Sequence, residues 1–290
     1  MNYGKEENKI RSYITDDGTL KYVQIPNYIS ESCNDNKYIL PVYAYSKIYC
    51  NNRYAVITTI EAITKTFYGN HYDKRCKKHE EITQALIALC KDNDNFSSVI
   101  QIDEDYTGKI DWKSSKTAIK YQNPILYEFD NIREYNYHYT KLTYAEFDYI
   151  SSSIVYSNEK FKVDSVVIFD LYFYLKMCIM RNDAVQKHYE SDEAFHISVT
   201  NLSKKIDCDK NTVQKYLGIL EKLKLLTTKK GNFSDRKANE YYLSDKWISV
   251  FEDMLKSSGN GDIIGEEINT SNSNNERPRK ILCNRHSSTV

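Results

Sequence analysis

The 290-residue chain carries 40 Lys and Arg against 40 Asp and Glu, so its formal net charge is zero and it is not a polycation. Any affinity for nucleic acid must therefore come from local basic patches. The length fits about two domains, and 41% hydrophobic with 28% charged residues predicts a soluble, mostly globular protein.

Cysteine usage and the lack of long apolar segments indicate the compartment. Seven cysteines are scattered without a CxxC pair, and the N-terminal MNYGKEENK does not read as a signal peptide. No apolar run approaches the length of a membrane span. These features predict a reduced, cytoplasmic protein with free thiols and no membrane partner.

The common catalytic motifs are missing. No GxxxxGK[ST] phosphate-binding loop occurs, because Gly108-Lys109 is followed by Ile110, and neither GxSxG nor HExxH is present. No two of the six histidines flank a single apolar residue, as the metal-binding pair of a rolling-circle nuclease would. The sequence therefore predicts no enzymatic activity and no cofactor.

Zinc binding is a weak alternative. His71, Cys76, His79 and Cys90 could supply four ligands. Structural zinc sites usually place their four ligands in two close pairs, and here only Cys76 and His79 form such a pair. The spacing therefore favours no metal site.

The first 36 residues carry turn signals rather than a periodic pattern. Asp17-Gly18 predicts a turn, and two short extended candidates lie at Leu20–Ile25 and Tyr28–Ile29. We therefore predict an irregular N-terminal arm over residues 1–36.

Residues 37–113 alternate helix and strand signals, as a small mixed domain does. Thr59 is a natural N-cap, and a basic segment at 71–79 leads into the last helix. The predicted elements, in order, are a helix over Tyr38–Tyr49, a strand at Tyr54–Ile57, a helix from Thr59 to Gly69, a helix with the apolar stripe Ile82, Ala85, Leu86 and Leu89, and ribbon strands at Val99–Ile102 and Lys109–Trp112.

Residues 114–160 form a predicted linker with one short helix. Thr143 and Glu146 have the spacing of a capping box, in which each side chain bonds the backbone N–H of the other. Leu142 and Phe147 have the spacing of a hydrophobic staple. A helix is therefore predicted to begin at this point.

Two further helices and a tail are predicted near the C-terminus. Val163–Arg181 is apolar on more than one face, which predicts a helix buried on more than one side. Trp247–Leu255 has an amphipathic pattern. Residues 257–290 are rich in Ser, Gly, Asn and Glu, so they are predicted to be a disordered tail.

The segment Ala194–Ser244 has the most specific pattern. Phe195–Ile197 predicts a strand, and Ser198 or Thr200 can cap a short helix. After a turn, Asp209 can cap a longer helix, whose apolar stripe is Val213, Tyr216, Leu217 and Leu220. A polar ribbon follows. This segment has ten Lys or Arg against five Asp or Glu, so it is positive within a neutral chain.

The order helix, turn, helix and two-stranded ribbon resembles a winged helix-turn-helix. Asp207 stands where the family usually has Gly, a mild departure because Asp tolerates the left-handed conformation. The resemblance implies that the second helix enters the major groove of DNA and that the ribbon contacts phosphates. The implied DNA-binding residues are Lys210, Asn211, Thr212, Gln214 and Lys215 on the helix, with Lys229, Lys230, Arg236 and Lys237 on the ribbon.

A weak internal repeat relates the two halves. Tyr43–Lys47 matches Tyr172–Lys176 at an offset of 129, and the two apolar stripes match at an offset of 131. Chance similarity competes with duplication, because tyrosine is common in this chain. The first unit is less basic, since Glu80 and Glu81 directly follow Lys77-Lys78-His79. Contact with the DNA backbone and formation of a homodimer both stay open for it.

The expected fold is α+β and mostly helical, with two winged-helix-like domains at 37–113 and 161–256 in tandem and a disordered C-terminal tail. Tandem winged helices resemble the replication initiators of plasmids and phages of low-GC Firmicutes, which makes double-stranded DNA the expected partner. A transcriptional regulator of a mobile element and a winged-helix scaffold that does not bind DNA stay open as alternatives.

Overall fold

The computed structural model describes residues 13, 15, 19–31, 36–50, 55–69, 78–91, 99–122, 139–157, 164–186, 195–230 and 238–257. Within them, helices alternate with short antiparallel strands, so the predicted α+β, mostly helical class is confirmed. The predicted tail lies outside the described residues apart from its first residue.

Eight strands and ten helices occur in the described part of the chain. The strands are β1 (Tyr22–Pro26), β2 (Ala55–Thr58), β3 (Gln101–Ile102), β4 (Ile119–Gln122), β5 (Tyr139–Thr143), β6 (Phe195–Ile197), β7 (Leu226–Lys230) and β8 (Asn239–Leu243). The helices are α1 (Asn27–Glu31), α2 (Ile39–Ile48), α3 (Ile60–Tyr68), α4 (Lys78–Leu89), α5 (Glu104–Thr107), α6 (Tyr144–Ser157), α7 (Ser165–Gln186), α8 (Val199–Lys205), α9 (Lys210–Lys222) and α10 (Trp247–Ser257).

Helix α7 lies at the centre of the fold. Between residues 165 and 179 every side chain is buried except Tyr174, which is partly exposed. The helix packs against α1, α2 and α3 as well as against β6, β8 and α9, so both halves of the chain contribute to one hydrophobic core. The predicted burial on more than one side is confirmed. No helix in the described ranges is long and apolar enough to cross a membrane.

Two three-stranded sheets repeat the same arrangement. Their strand orders are β2-β4-β3 and β6-β8-β7, so in each sheet the last strand along the chain lies in the middle. Val56 pairs with Tyr121 in the first sheet, and Phe195 pairs with Tyr241 in the second. Both tyrosines are fully buried. Each sheet therefore anchors its middle strand in the core through an equivalent tyrosine.

A separate two-stranded ribbon joins β1 to β5, with Tyr22 opposite Thr143 and Pro26 opposite Tyr139. The prediction of an irregular arm was therefore wrong for residues 22–31. Pro26 lacks an N–H for the ladder and ends the strand, after which the chain turns directly into α1. The extended prediction at Tyr28–Ile29 was wrong for this reason.

The second ribbon strand of the first sheet was predicted too early in the chain. Asp103 caps α5 by accepting a hydrogen bond from the Tyr106 N–H at 3.0 Å. Gly108 then leaves that short helix with φ +57°, a left-handed value that favours glycine. The strand that pairs with β3 is β4, which lies inside the predicted linker, so Lys109–Trp112 is not a strand.

Several predicted caps are confirmed. The Thr59 hydroxyl accepts from the Ala62 N–H at 3.0 Å, and α3 ends at Gly69. The capping box is formed in both directions, because Glu146 Oε2 accepts from the Thr143 N–H at 3.2 Å and Thr143 Oγ1 accepts from the Glu146 N–H at 3.0 Å. These local hydrogen bonds fix where α3 and α6 begin.

Glu146 also takes part in a buried ion pair with α7. Lys176 Nζ donates to both carboxylate oxygens, at 2.7 and 2.6 Å, and the Tyr172 hydroxyl donates to Oε1. The Glu146 and Lys176 side chains are only 3% and 11% exposed. A charge this deeply buried depends on its partner, because water cannot replace it. The pair therefore joins the start of α6 to the middle of α7.

We expect Lys176→Met to lower the free energy of unfolding by about 3–5 kcal/mol, because it leaves the Glu146 carboxylate buried without its counter-ion. Urea denaturation at pH 7 measures this. The double variant Glu146→Gln/Lys176→Met should recover much of the loss. Lys222→Met, on an exposed position of α9, should stay within about 0.5 kcal/mol of the wild type. Equal stability of Lys176→Met and wild type would contradict the prediction.

Candidate nucleic-acid interface

The turn between α8 and α9 sets the direction of α9. The Ser198 hydroxyl caps α8 by accepting from the Asn201 N–H at 3.1 Å, so Ser198 rather than Thr200 has this role. Asp207 adopts φ +49°, the left-handed conformation predicted for this position. Asp209 Oδ1 then caps α9 by accepting from the Thr212 N–H at 2.9 Å. The predicted helix, turn and helix are thus present with their caps.

Asp209 is ionised at neutral pH. Hydrogen bonds from the Thr212 hydroxyl and from backbone N–H groups hold the pKa of its carboxyl below the ordinary value. A negative charge at a helix N-terminus is favourable because the free N–H groups point at it. Thr212, one of the predicted DNA-binding residues, is only half-exposed, and its hydroxyl donates to Asp209 Oδ2. In this structure Thr212 therefore completes the cap.

Helix α9 has two sharply different faces. Its predicted apolar stripe, from Val213 to Leu220, is buried as expected. On the opposite side, four of the predicted DNA-binding residues are exposed within the first two turns: Lys210, Asn211, Gln214 and Lys215. The burial of one face leaves the polar face turned outward, so these four side chains share one accessible surface.

The β7–β8 hairpin adds further basic side chains. Lys229 and Lys230 are exposed at the end of β7. Lys229 Nζ lies 4.5 Å from the centroid of the Tyr242 ring, which restrains its position. Glu240 stands opposite Lys229 in the register, and its carboxylate accepts a hydrogen bond from the Tyr242 hydroxyl at 2.8 Å. The predicted residues Arg236 and Lys237 lie outside the described residues.

Helix α9 is fixed to the core at its middle and at its C-terminal end. The Tyr216 hydroxyl accepts from the Asp164 N–H at 3.0 Å. The Tyr149 hydroxyl, from α6, donates to the Leu223 carbonyl at 2.9 Å, just before Lys224 takes up φ +60°. These anchors join residues 52 and 74 positions apart. Sequence reasoning missed both, because no local pattern signals a hydrogen bond between distant segments.

Asp164, at the start of α7, ties α9 to the first half of the chain. Its Oδ1 accepts from the Tyr68 hydroxyl at 2.8 Å and from the Val166 N–H at 3.2 Å. Its Oδ2 accepts from Lys78 Nζ at 2.7 Å. Burial alone would raise the pKa of Asp164, but the Lys78 charge and these hydrogen bonds lower it below the ordinary value. Asp164 therefore stays ionised in the folded protein at neutral pH.

Within its described residues, helix α4 of the first unit does not present an equivalent basic face. Lys78, at the start of α4, is held by Asp164 and also donates to the Tyr38 hydroxyl at 2.7 Å. The exposed positions of the same helix include Glu80 and Gln84. The basic segment at 71–77 lies outside the described residues. The only lysine in helix α4, Lys78, is therefore engaged in contacts within the protein.

Other chemistry is sparse in the described ranges. They contain no group of three or more His, Cys, Asp or Glu side chains placed to hold a metal ion. Among the described residues, Cys50, Cys90, Cys178 and Cys208 form no disulfide. Comparison with protein-family models, with curated proteins and with solved structures gave no match.

We expect the stability advantage of the wild type over Asp164→Asn to depend on pH. Because the folded pKa of Asp164 is depressed, the unfolded chain binds its proton at higher pH than the folded protein does. The advantage should be complete above about pH 4, the ordinary range for Asp, and should shrink as pH falls through the folded value. Urea unfolding from pH 7 to pH 3 measures it.

The matched control is Asp105→Asn, an exposed carboxyl on α5, which should follow the wild-type profile. An advantage of the wild type over Asp164→Asn that is the same at every pH would show that the Asp164 charge does not stabilise the fold.

Proposed function

We propose that this chain binds double-stranded DNA and that α9 is its recognition helix. The observation that carries the proposal is the row of exposed Lys210, Asn211, Gln214 and Lys215 on the first two turns of α9, opposite a fully buried stripe. A helix docked in the major groove reads bases with the residues of its N-terminal turns. This row has the position and the chemistry for that task.

The arrangement around α9 supports a winged helix-turn-helix. The order α7, β6, α8, α9, β7, β8, with β8 in the middle of the sheet, is the order that this fold requires. The turn before α9 uses a left-handed residue, and the hairpin that follows would act as the wing. Since Asp164, just before α7, and Tyr149 of α6 hold α9 at its middle and at its C-terminal end, the helix would meet DNA as a rigid element.

The side-chain chemistry divides the contacts into two kinds. Asn211 and Gln214 have amides that can pair with the N6 and N7 edge of adenine, and Lys210 and Lys215 can reach guanine or phosphate. Lys229 and Lys230 on the hairpin suit phosphates, which fix position without reading sequence. In this proposal Arg236 and Lys237, which follow the predicted tip Gly231–Ser234 in the sequence, extend the phosphate contact.

The first unit shares the order of elements and the strand order of the second. This supports the proposal of two winged-helix-like units in tandem, as in plasmid and phage replication initiators. Because its only described lysine on α4 is engaged by Asp164, base reading falls to the second unit. We propose an initiator of replication, with a regulator of transcription as the alternative and a homodimer as an expected assembly.

We expect Gln214→Ala or Lys215→Ala to weaken binding to the specific DNA site by about 1–3 kcal/mol without loss of stability. Fluorescence anisotropy on a labelled duplex, combined with thermal unfolding, measures both quantities. By contrast, Lys229→Ala should weaken binding to all duplexes and reduce the dependence of affinity on salt. Wild-type affinity of Lys215→Ala at several salt concentrations would rule out α9 as the recognition helix.

A footprint of the full chain on the DNA flanking its own gene separates the two biological roles. We expect several directly repeated protected sites, because an initiator assembles many copies at an origin. A single inverted repeat over a promoter would favour the regulator and a dimer. Protection without a preferred site would leave only an electrostatic contact, and no binding at low salt would favour the scaffold.

A further inference from the structure

The outer face of the β1–β5 ribbon carries exposed aromatic and basic side chains. Ile25, Thr140 and Leu142 on the inner face are fully buried. Because side chains alternate along a strand, Tyr22 and Gln24 of β1 and Tyr139 and Lys141 of β5 face outward. We propose that this outer face binds single-stranded DNA, at a site separate from α9.

The two tyrosine rings are unusually exposed. Tyr22 is 47% and Tyr139 49% exposed, which places both among the five most exposed large hydrophobic residues of the described ranges. In the register they lie at opposite ends of the ribbon, four residue pairs apart, or about 13 Å at the usual rise per residue. Exposed rings so placed offer two stacking surfaces to a strand that runs along the ribbon.

The only charged side chain on the two strands of the ribbon is the basic Lys141. Lys141 Nζ lies 4.7 Å from the centroid of the Tyr22 ring, and within the described part of the chain no carboxylate pairs with it. Neither strand contains Asp or Glu. Proteins that bind single strands combine such a positive track with aromatic rings on which bases stack. Lys141 can contact a phosphate between the two rings.

A similar tyrosine and lysine pair elsewhere shows what makes the ribbon different. Tyr106 on α5 is 52% exposed, and Lys120 Nζ lies 5.2 Å from its ring centroid. There, however, Lys120 forms an ion pair with Asp103 at 2.7 Å, and Glu104 and Asp105 are exposed beside it. That surface is acidic and would repel phosphates. Tyr106 is therefore a matched control for exposure and residue type.

The ribbon is also rigid enough to serve as a platform. The Thr140 hydroxyl donates to Asn27 Oδ1 at 2.7 Å in the core, and the Tyr144 N–H donates to the Lys21 carbonyl at 3.0 Å.

Stacking on an exposed ring requires an unpaired base, which a duplex does not offer. The choice of DNA over RNA rests on the proposed function, because initiation of replication separates the strands of the DNA beside the bound initiator.

The test measures binding of the full chain to a fluorescent dT20 oligonucleotide by anisotropy at several salt concentrations. Tyr22→Ala and Tyr139→Ala should each weaken binding about 5- to 150-fold, the range for losing one stacked base. Lys141→Gln should reduce the slope of log affinity against log salt by about 0.7, the value for one phosphate of a single strand. Tyr106→Ala should bind as the wild type does.

Measuring the affinity for duplex DNA distinguishes a failure of this proposal from a failure of the function proposed for α9. The ribbon variants should keep wild-type affinity for duplex DNA, and Lys215→Ala should keep its affinity for dT20. The proposal is overturned if the wild type does not bind dT20, if both tyrosine variants bind it normally, or if U20 binds more tightly than dT20. A change in oligomeric state with Tyr139→Ala, at unchanged dT20 affinity, would make the ribbon a contact between protein copies instead.

Discussion

Helix α7 must be covered on every side, and the rest of the structure follows from that need. Between Val166 and Ile179 apolar side chains occur on every side of the helix axis, so no orientation lets one face of this part contact water without a large loss of hydrophobic free energy. The N-terminal helices cover one side, and the second sheet with α9 covers another. The two halves of the chain therefore share one core, despite the similar order of their elements.

The candidate interface depends on Asp164, the residue just before this helix. Asp164 accepts a hydrogen bond from the Tyr68 hydroxyl and forms an ion pair with Lys78. Its backbone N–H donates a hydrogen bond to the Tyr216 hydroxyl of α9. Consequently the position of α9 depends on contacts made by the first unit. As the proposed recognition helix, α9 would lose little conformational freedom on docking, which would favour specific binding.

Charge is distributed unevenly in a chain whose net charge is zero. In the first unit, Lys78 and Lys120 are paired with carboxylates and so contribute little positive potential outside. In α9 and the β7–β8 hairpin, lysines occupy exposed positions opposite buried stripes. In the proposed function, attraction to the phosphates of duplex DNA would come from α9 and this hairpin and would favour one orientation of the protein on the duplex.

Local patterns in the sequence predicted much of the secondary structure. The caps at Thr59, Ser198 and Asp209, the capping box and the apolar stripes of α4 and α9 were readable, because they depend on residues within one or two turns. The positions of β4 and β5 could not be read from the sequence, since pairing between distant strands selects among several extended segments. The sequence patterns also did not indicate helix α1. Only the tertiary structure brought Asp164 to Lys78 and Tyr216, and only strand pairing turned Tyr22 and Tyr139 to one face. Sequence alone determined which side of α9 is polar, whereas long-range contacts decided where that side is presented.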